Sequence, residues 1–301
     1  MASNKFGIFG LNYDTEAGLG WPGARYAPDE IRESFKWILN RIRDNVLFDT
    51  EADALIDMSK IEIKDFGNLR GICHYEHKRA MDEAKLQIDE VLDAGYTPIL
   101  LGGDHSVAWP GMRSLYDHTE GKMGLIHLDT HLDLVEDSPV QGKYSGSSEI
   151  RRCAELDRVD PKNIVQLGIR GYNYAEHYHF IHKSGIHVIN PDAFFEEGAK
   201  AVAQKALEIA GDGTDKIYMT VDVDVLDSAF APGTGANEPG GISTYQLFKF
   251  VKTVAPYVDA VDIVEVNPMT DYRSMTSTVA SNLIMHFITA NYYALESSDK
   301  H

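Results

Sequence analysis

The 301-residue chain has few of the features that mark secreted, membrane-spanning or phosphate-binding proteins. Its only two cysteines, Cys73 and Cys153, lie far apart in sequence, so we expect inert packing thiols in a reducing compartment. No segment reaches the roughly 18 consecutive apolar residues of a membrane span, and the first residues lack the pattern of a signal peptide. Neither common glycine-rich phosphate loop is present. These absences predict a cytoplasmic protein.

Basic residues are also scarce: 28 Lys and Arg stand against 46 Asp and Glu, for a formal net charge of −18. Nucleic acids and anionic membranes are bound through Lys/Arg-rich patches, so the composition disfavours both partners. It is compatible with a small cationic substrate, although acidity also simply improves solubility. No linker, charge block or repeat divides the sequence, which predicts one domain over residues 1–301.

Short β-branched or aromatic runs alternate with longer segments of helical periodicity. This pattern predicts an α/β fold with three α/β/α layers and a mainly parallel sheet of roughly eight strands. The predicted strands lie at 5–12, 61–67, 97–103, 122–129, 164–171, 187–190, 217–224 and 260–267. The predicted helices lie at 28–46, 74–94, 106–117, 174–183, 192–210, 243–257 and 274–296.

Polar clusters follow the carboxyl ends of three predicted strands, the edge at which open α/β sheets bind ligands. The first cluster, GGDHS at 102–106, places His105 after two glycines that permit a sharp turn. The second, DTHLD at 129–133, would present Asp129, His131 and Asp133 on one side if the chain stays extended. Neighbouring carboxylates repel each other unless a cation neutralises them, so this cluster predicts a metal site.

The third cluster, DVDVLD at 222–227, follows another apolar run. By the same alternation Asp222 and Asp224 would share one side, whereas Asp227 is out of phase and more plausibly braces the next loop. The three clusters together offer two histidines and four aspartates, an oxygen-rich set that favours Mn²⁺ and also accepts Ni²⁺ or Co²⁺. Six ligands suit two ions that share carboxylates and lower the pKa of a bridging water.

These residues resemble the ureohydrolase family, which includes arginase and agmatinase. The resemblance covers essentially the whole chain and implies an arginase-like fold. Further matching segments are PGARYAP at 22–28, DFGNL at 65–69, GTGANEPGG at 233–241 and EVNP at 265–268.

The resemblance implies a role for each matching residue. It implies that six residues ligate two metal ions per chain: His105, Asp129, His131, Asp133, Asp222 and Asp224. A hydroxide bridging the ions would attack the trigonal carbon of a guanidino group, and urea or a urea derivative would leave. Asp133 would hold the hydroxide and accept its proton, and Glu265 would bind the guanidinium through charge-assisted hydrogen bonds.

Two departures from the family pattern bear on the substrate. Where most relatives carry a His-Gly pair that helps to protonate the departing amine, this chain has Gly146 and Ser147. Where agmatinase-like members read Gly-Thr-Pro-Glu, residues 235–238 read GANE. Besides Glu265, the predicted substrate contacts are Tyr144, Ser147, Glu149 and Asn237. We interpret the histidines at 177, 179 and 182, which lie among tyrosines, as surface or interface packing.

The favoured function is therefore hydrolysis of a guanidino compound: guanidine, a substituted guanidine or biguanide, or a guanidino acid. The missing imidazole favours compact guanidines without a long amino-acid or aminoalkyl tail. A formimino-group hydrolase and a non-catalytic, metal-binding partner subunit stay open as alternatives. The resemblance also implies a homo-oligomer, a trimer or hexamer, and a mixed assembly with a related subunit is compatible with it.

Overall fold

One eight-stranded parallel sheet organises the computed structural model, which describes residues 2–15, 20–71, 76–137 and 140–298. Its strands are β1 (Lys5–Gly10), β4 (Glu62–Asn68), β5 (Thr97–Leu101), β6 (Met123–Leu128), β7 (Ile164–Leu167), β8 (His187–Ile189), β9 (Lys216–Asp222) and β10 (Ala260–Val264). Their order across the sheet is β4-β1-β5-β10-β9-β6-β7-β8. A separate antiparallel hairpin pairs β2 (Val46–Asp49) with β3 (Ala54–Asp57). The mainly parallel α/β fold predicted from the sequence is confirmed.

Helices cover both faces of the sheet. They are α1 (Ala27–Leu39), α2 (His77–Asp93), α3 (Ala108–Asp117), α4 (Glu149–Cys153), α5 (Ala175–Ser184), α6 (Pro191–Glu196), α7 (Ala199–Ala210), α8 (Thr244–Val254) and α9 (Met275–Ser298). Alternate residues of one strand enter different apolar clusters: Ile99 and Leu101 of β5 pack on one face, and Leu100 packs on the other. Because both faces are buried at the centre of the sheet, the central strands β5, β6 and β10 are mostly apolar, and polar residues collect at their carboxyl ends.

The polar clusters lie after four strands that are neighbours at the centre of the sheet. Residues 102–106 follow β5, residue 265 follows β10, residues 222–224 close β9, and residues 129–133 follow β6. Parallel strands bring all four carboxyl ends to the same edge. The fold therefore gathers segments that are far apart in sequence into one place.

Several predicted boundaries were wrong for local reasons. The helix predicted at 28–46 ends at Leu39, and Asp44 and Asn45 adopt left-handed backbone angles (φ 52° and 60°) that lead into the unpredicted hairpin. The helix predicted at 192–210 is two helices, because Gly198 (φ 88°) interrupts it. The strand predicted at 164–171 ends before Gly168, which also has a positive φ of 92°.

The described part of the chain contains no helix that is both long and apolar enough to cross a bilayer. Cys153 is a free, buried residue at the end of α4, and burial raises the pKa of its thiol. It therefore packs as a neutral side chain. Cys73 lies outside the described residues.

Candidate metal centre

The first corner of the centre is built around His105, directly after β5. Its Nδ1 atom lies 2.9 Å from Asp129 Oδ2, 3.0 Å from Asp133 Oδ2 and 3.4 Å from Asp222 Oδ2. Nδ1 makes no hydrogen bond with any described residue, although it is buried. Nδ1 and these carboxylate oxygens therefore lie close together without hydrogen bonds between them, which is the arrangement expected of ligands around one metal ion.

The position of His105 depends on the tight turn that precedes it. A Cβ atom on Gly103 would lie 1.6 Å from the backbone oxygen of Tyr13 and 2.8 Å from that of Leu11. Only glycine therefore allows the chain to pass this close to the segment after β1. The turn delivers the imidazole to the sheet edge.

A hydrogen-bond relay fixes which nitrogen of His105 faces the carboxylates. Thr220 donates its hydroxyl proton to Asp262 Oδ1 (2.6 Å), so its oxygen accepts from His105 Nε2 (2.8 Å). Tyr218 donates to the other oxygen of Asp262 (2.6 Å), and all these side chains are buried. With its proton on Nε2, His105 presents the lone pair of Nδ1 to the carboxylates. This is the tautomer that a metal ligand needs.

The second corner is built around His131. Its Nδ1 atom lies 3.2 Å from Asp224 Oδ2 and 3.4 Å from Asp129 Oδ1. Asp129 thus turns Oδ2 toward His105 and Oδ1 toward His131. The groups His105–Asp129–Asp222 and Asp129–His131–Asp224 each bring one ligand atom per residue within 4.8 Å of one another, and they share Asp129. A carboxylate shared in this way can bridge two ions.

All six predicted ligands therefore meet, but not through the extended backbone we expected. Asp133 adopts a left-handed conformation (φ 49°), and the backbone N–H of His131 donates to Asp129 Oδ1, which bends the chain after β6. After β9, residues 223–225 form a 3₁₀ turn in which Asp224 N–H donates to Asp222 Oδ1 (2.8 Å). Tight turns, rather than strand alternation, aim these carboxylates at the same point.

Asp227 braces the following loop, as we expected, although the backbone before it is not extended. Its carboxylate accepts hydrogen bonds from the backbone N–H groups of Ala229 (3.0 Å) and Gly240 (2.7 Å). It belongs to none of the three groups of candidate metal ligands in the described residues.

The electrostatics of the centre favour a cation. Burial, followed by the charges of Asp224 and Asp129, raises the pKa of Asp222 well above its usual range. Burial alone would lower the pKa of His105, but the surrounding carboxylates, Glu149 foremost, raise it far above its ordinary value. Such a cluster binds either protons or metal ions, and divalent ions displace the protons. The nitrogen and oxygen donors fit hard or borderline divalent ions.

Two further buried side chains adjoin the first corner. His127 and Glu149 form a group of possible ligands with His105 and Asp133, and each is 0% exposed. The sequence offered one signal for His127, a histidine inside the otherwise apolar strand β6. Glu149 was predicted to contact substrate, yet the structure places it in the buried group and not in the cavity wall.

A cavity of about 520 Å³ opens over the carboxylates. Its wall includes His131, Asp133, Asp222, Asp224, Gly146, Ser147, His177, Gly235, Ala236 and Glu265. Glu265 follows β10 with a left-handed backbone (φ 62°) and accepts a hydrogen bond from the N–H of His105 (2.8 Å). Its carboxylate is thereby held at the wall beside the candidate metal ligands.

The other predicted substrate contacts are placed differently. Ser147 lines the cavity, where its hydroxyl accepts a hydrogen bond from Gln141 (3.1 Å). Tyr144 packs against Trp109 with 6.5 Å between ring centroids, and Asn237 donates to the backbone oxygen of Pro232 (3.2 Å). Tyr144 and Asn237 are not part of the cavity wall.

One of the three histidines interpreted as surface packing lies in the cavity wall. His177 is 3% exposed, and neither ring nitrogen has a hydrogen-bond partner among the described residues. Burial lowers the pKa of its imidazole. His182, by contrast, is exposed and stacks on Tyr178 with 4.0 Å between ring centroids. The sequence alone did not distinguish these two positions on α5.

The comparison with known proteins places this geometry in a family. Residues 4–289 match the model of the arginase family. The chain belongs to the arginase family. It is 36% identical to guanidinopropionase from Pseudomonas aeruginosa over 95% of this chain and 86% of that protein. It is 30% identical to guanidinobutyrase from the same organism, over 88% and 80% of the two chains.

Solved structures of this family share the fold. Formimidoylglutamase from Bacillus subtilis superposes with a TM-score of 0.83 at 25% identity, over 96% of this chain and 88% of that one. The arginase family is one of binuclear-metal enzymes, and the chain contains candidate ligand groups for such a centre. It is a ureohydrolase, a metal-dependent hydrolase that acts on C–N bonds.

Proposed function

We propose that the protein hydrolyses a compact guanidino compound: guanidine, a substituted guanidine or biguanide, or a short guanidino acid. The observation that carries this proposal is the position of Asp129 between two histidine-carboxylate corners that open to one cavity. His105, Asp129, Asp133 and Asp222 would hold one ion, and Asp129, His131, Asp222 and Asp224 the other. When bound, two such ions make water nucleophilic near neutral pH.

Two carboxylates would complete the chemistry on the substrate side. Asp133 lines the cavity beside His105 and can accept the proton of the attacking water. Glu265, held by the His105 N–H, can pair with the planar guanidinium and present its carbon to the floor of the cavity. Both roles agree with the acidic character of the cavity wall.

The wall near Gly146 supports the preference for compact substrates. Gly146 and Ser147 stand in the wall at the positions where the family resemblance implies a His-Gly pair, so this loop presents no imidazole to the cavity. A departing amine must gain a proton, and a positioned acid contributes about 10²–10⁴-fold to such a step. Small leaving groups can be reached by solvent or by another acid, whereas a long amine held in one place cannot.

A formimino compound is the second candidate substrate class. Formimidoylglutamase from Bacillus subtilis is 29% identical to this chain, over 90% of this chain and 83% of that protein. Glu265, which suits a guanidinium, argues for the guanidino class. A non-catalytic partner subunit is disfavoured because all six ligand positions converge, a property that a purely structural subunit does not need.

Release of urea and ammonia from metal-loaded protein tests the proposal. The panel contains guanidine, N-methylated guanidines, biguanides, short guanidino acids, agmatine, arginine and a formimino amino acid. Turnover of at least one compact guanidine would support the assignment. Turnover of the formimino compound alone would assign the protein to the formimino class. No turnover of any compound on the panel would contradict the proposal.

Mn²⁺ is the proposed ion, because four of the six ligands are carboxylates. A formiminoglutamase from Trypanosoma cruzi with the same fold was solved with Mn²⁺. Loading with Ni²⁺ or Co²⁺ is the matched comparison. We further propose a homo-oligomer, which sedimentation of the purified protein would test.

A further inference from the structure

We propose that Glu149 is an additional protein ligand of the ion at the His105 corner, beyond the six residues that the family pattern supplies. This inference rests on the proposed binuclear centre. Glu149 is the first residue of α4 and follows the loop that contains Gly146. Its side chain is completely buried.

The distances suit coordination of one ion. Glu149 Oε1 lies 3.6 Å from His105 Nδ1, and the ligand atoms of Glu149, His105 and Asp133 all lie within 4.8 Å of one another. Two ligands on opposite sides of an ion with bonds of about 2.1 Å are about 4.2 Å apart. Glu149 is therefore within reach of an ion that binds His105 and Asp133.

No hydrogen bond among the described residues accounts for the burial of the Glu149 carboxylate. Both of its oxygens are buried, and neither has a hydrogen-bond partner among the residues that the structure describes. The two cations that follow Glu149 in sequence have other partners. Arg151 forms ion pairs with the side chains of Glu136 (3.4 Å) and Glu155 (3.3 Å). Arg152 donates to the backbone oxygens of Glu136 and Lys143 and to the side chain of Glu155. A buried carboxylate without donors is unfavourable unless a cation or a proton neutralises it.

His127, the other extra member of this group, is placed as a donor rather than a ligand. Gln166 Nε2 donates both to the backbone oxygen of Leu132 (2.6 Å) and to His127 Nδ1 (2.9 Å), which fixes the orientation of the amide. His127 therefore carries its proton on Nε2, 3.0 Å from Asp129 Oδ2. It positions the bridging carboxylate of Asp129. Glu149 is left as the group whose oxygens face the ion.

This arrangement makes the two ion positions unequal. The His105 corner gains a further buried carboxylate, while the other corner includes His131, whose side chain is 37% exposed. Glu149 also lies outside the cavity wall, so its charge acts on the ion without contacting substrate. We expect one ion to be bound much more tightly than the other.

Glu149→Gln tests the proposal, because glutamine keeps the shape and removes the charge. Mn²⁺ binding to metal-free protein is measured by calorimetry and by electron paramagnetic resonance of free Mn²⁺, with elemental analysis of the saturated protein. The tighter of the two Mn²⁺ affinities should fall by at least about 10-fold, since even residues behind the ligands typically contribute 10–100-fold. Glu136→Gln, which removes an exposed carboxylate, is the control and should bind both ions as the wild type does.

Glu149→Asp provides a second arm that keeps the charge and withdraws it by one methylene. The tighter Mn²⁺ affinity of Glu149→Asp should lie between those of the wild type and Glu149→Gln. If the glutamine variant does not fold, the comparison of Glu149→Asp with the wild type decides the question. Wild-type affinity for both ions in Glu149→Gln, or an aspartate variant no better than the glutamine variant, would overturn the proposal. Fewer than two ions in the wild type would instead refute the proposed binuclear centre itself.

Discussion

The floor and the rim of the cavity are built in different ways. The floor consists of carboxylates and imidazoles in tight turns at the ends of β5, β6 and β9, and most of them are buried. The rim includes Gly146 and Ser147 from one loop and Gly235 and Ala236 from another, and most of these residues are half-buried or exposed. The family pattern is complete on the floor and broken on the rim, at Gly146 and at residues 235–238. Under the proposed function, the floor provides the chemistry of the reaction and the rim discriminates between substrates.

Asp129→Asn should have the largest effect, because it removes the carboxylate that both corners share. We expect urea release to fall by about 10³-fold or more, since bound metal supplies several kcal/mol of transition-state stabilisation. The circular dichroism spectrum should stay unchanged. Asp227→Asn is the matched control on the same sheet edge and should alter activity only by a few fold. Comparable losses in both variants would mean that the floor is not distinct from its supporting loops.

Glu265→Gln tests whether Glu265, which lies between the floor and the rim, contacts the substrate cation. A hydrogen bond to a charged group contributes about 1.5–3 kcal/mol, so kcat/KM for the best guanidine should fall by roughly 10- to 150-fold. The amide oxygen can still accept from the His105 N–H, so metal content should be unaffected. A wild-type kcat/KM would show that Glu265 does not contact the substrate cation.

Thr220→Val tests the relay beneath the floor. The change keeps the side-chain shape but removes the hydroxyl that links His105 to Asp262. Mn²⁺ affinity should fall by about 10–100-fold, as is typical when a ligand loses its supporting hydrogen bond. Calorimetry of the metal-free variant measures this directly. An unchanged affinity would mean that His105 is oriented by packing alone.

The substrate panel tests the rim. Compact guanidines should exceed arginine and agmatine in kcat/KM, and Gly146→His should shift that ratio toward the long substrates by restoring an imidazole to the wall. The expected shift is about 10-fold, below the roughly 10²–10⁴-fold that a fully positioned acid contributes. A long substrate that wins by tenfold or more in the wild type would contradict the inference from Gly146. The proton would then come from another group, and His177 in the cavity wall is the first to examine.

Local sequence was sufficient for the sheet and for all six floor residues. Apolar runs define buried strands, and the polar residues that follow them must lie at the common edge. The predicted extended backbone was nevertheless wrong. Asp133 and Asp224 are oriented by turns, whose backbone angles the alternation of residues does not encode. The predicted side chains therefore converge although the predicted local geometry was incorrect.

The sequence did not predict which histidine of α5 lines the cavity, or that Glu149 lies in the buried group beside His105. Whether His177 faces the cavity and His182 faces solvent depends on how α5 rotates against the sheet. Glu149 lies 44 residues after His105 in the chain, and only the fold brings their side chains to 3.6 Å. The hairpin at 46–57 was missed because two non-glycine residues adopt left-handed angles at its start.

A metal titration of activity tests the central claim most directly. Metal-free protein is given increasing equivalents of Mn²⁺, and urea release is followed with the best guanidine of the panel. If two ions share Asp129 at the floor of the cavity, urea release should be negligible without metal and should level off at two equivalents per chain. Full activity at one equivalent, or activity that metal removal does not diminish, would contradict the binuclear mechanism.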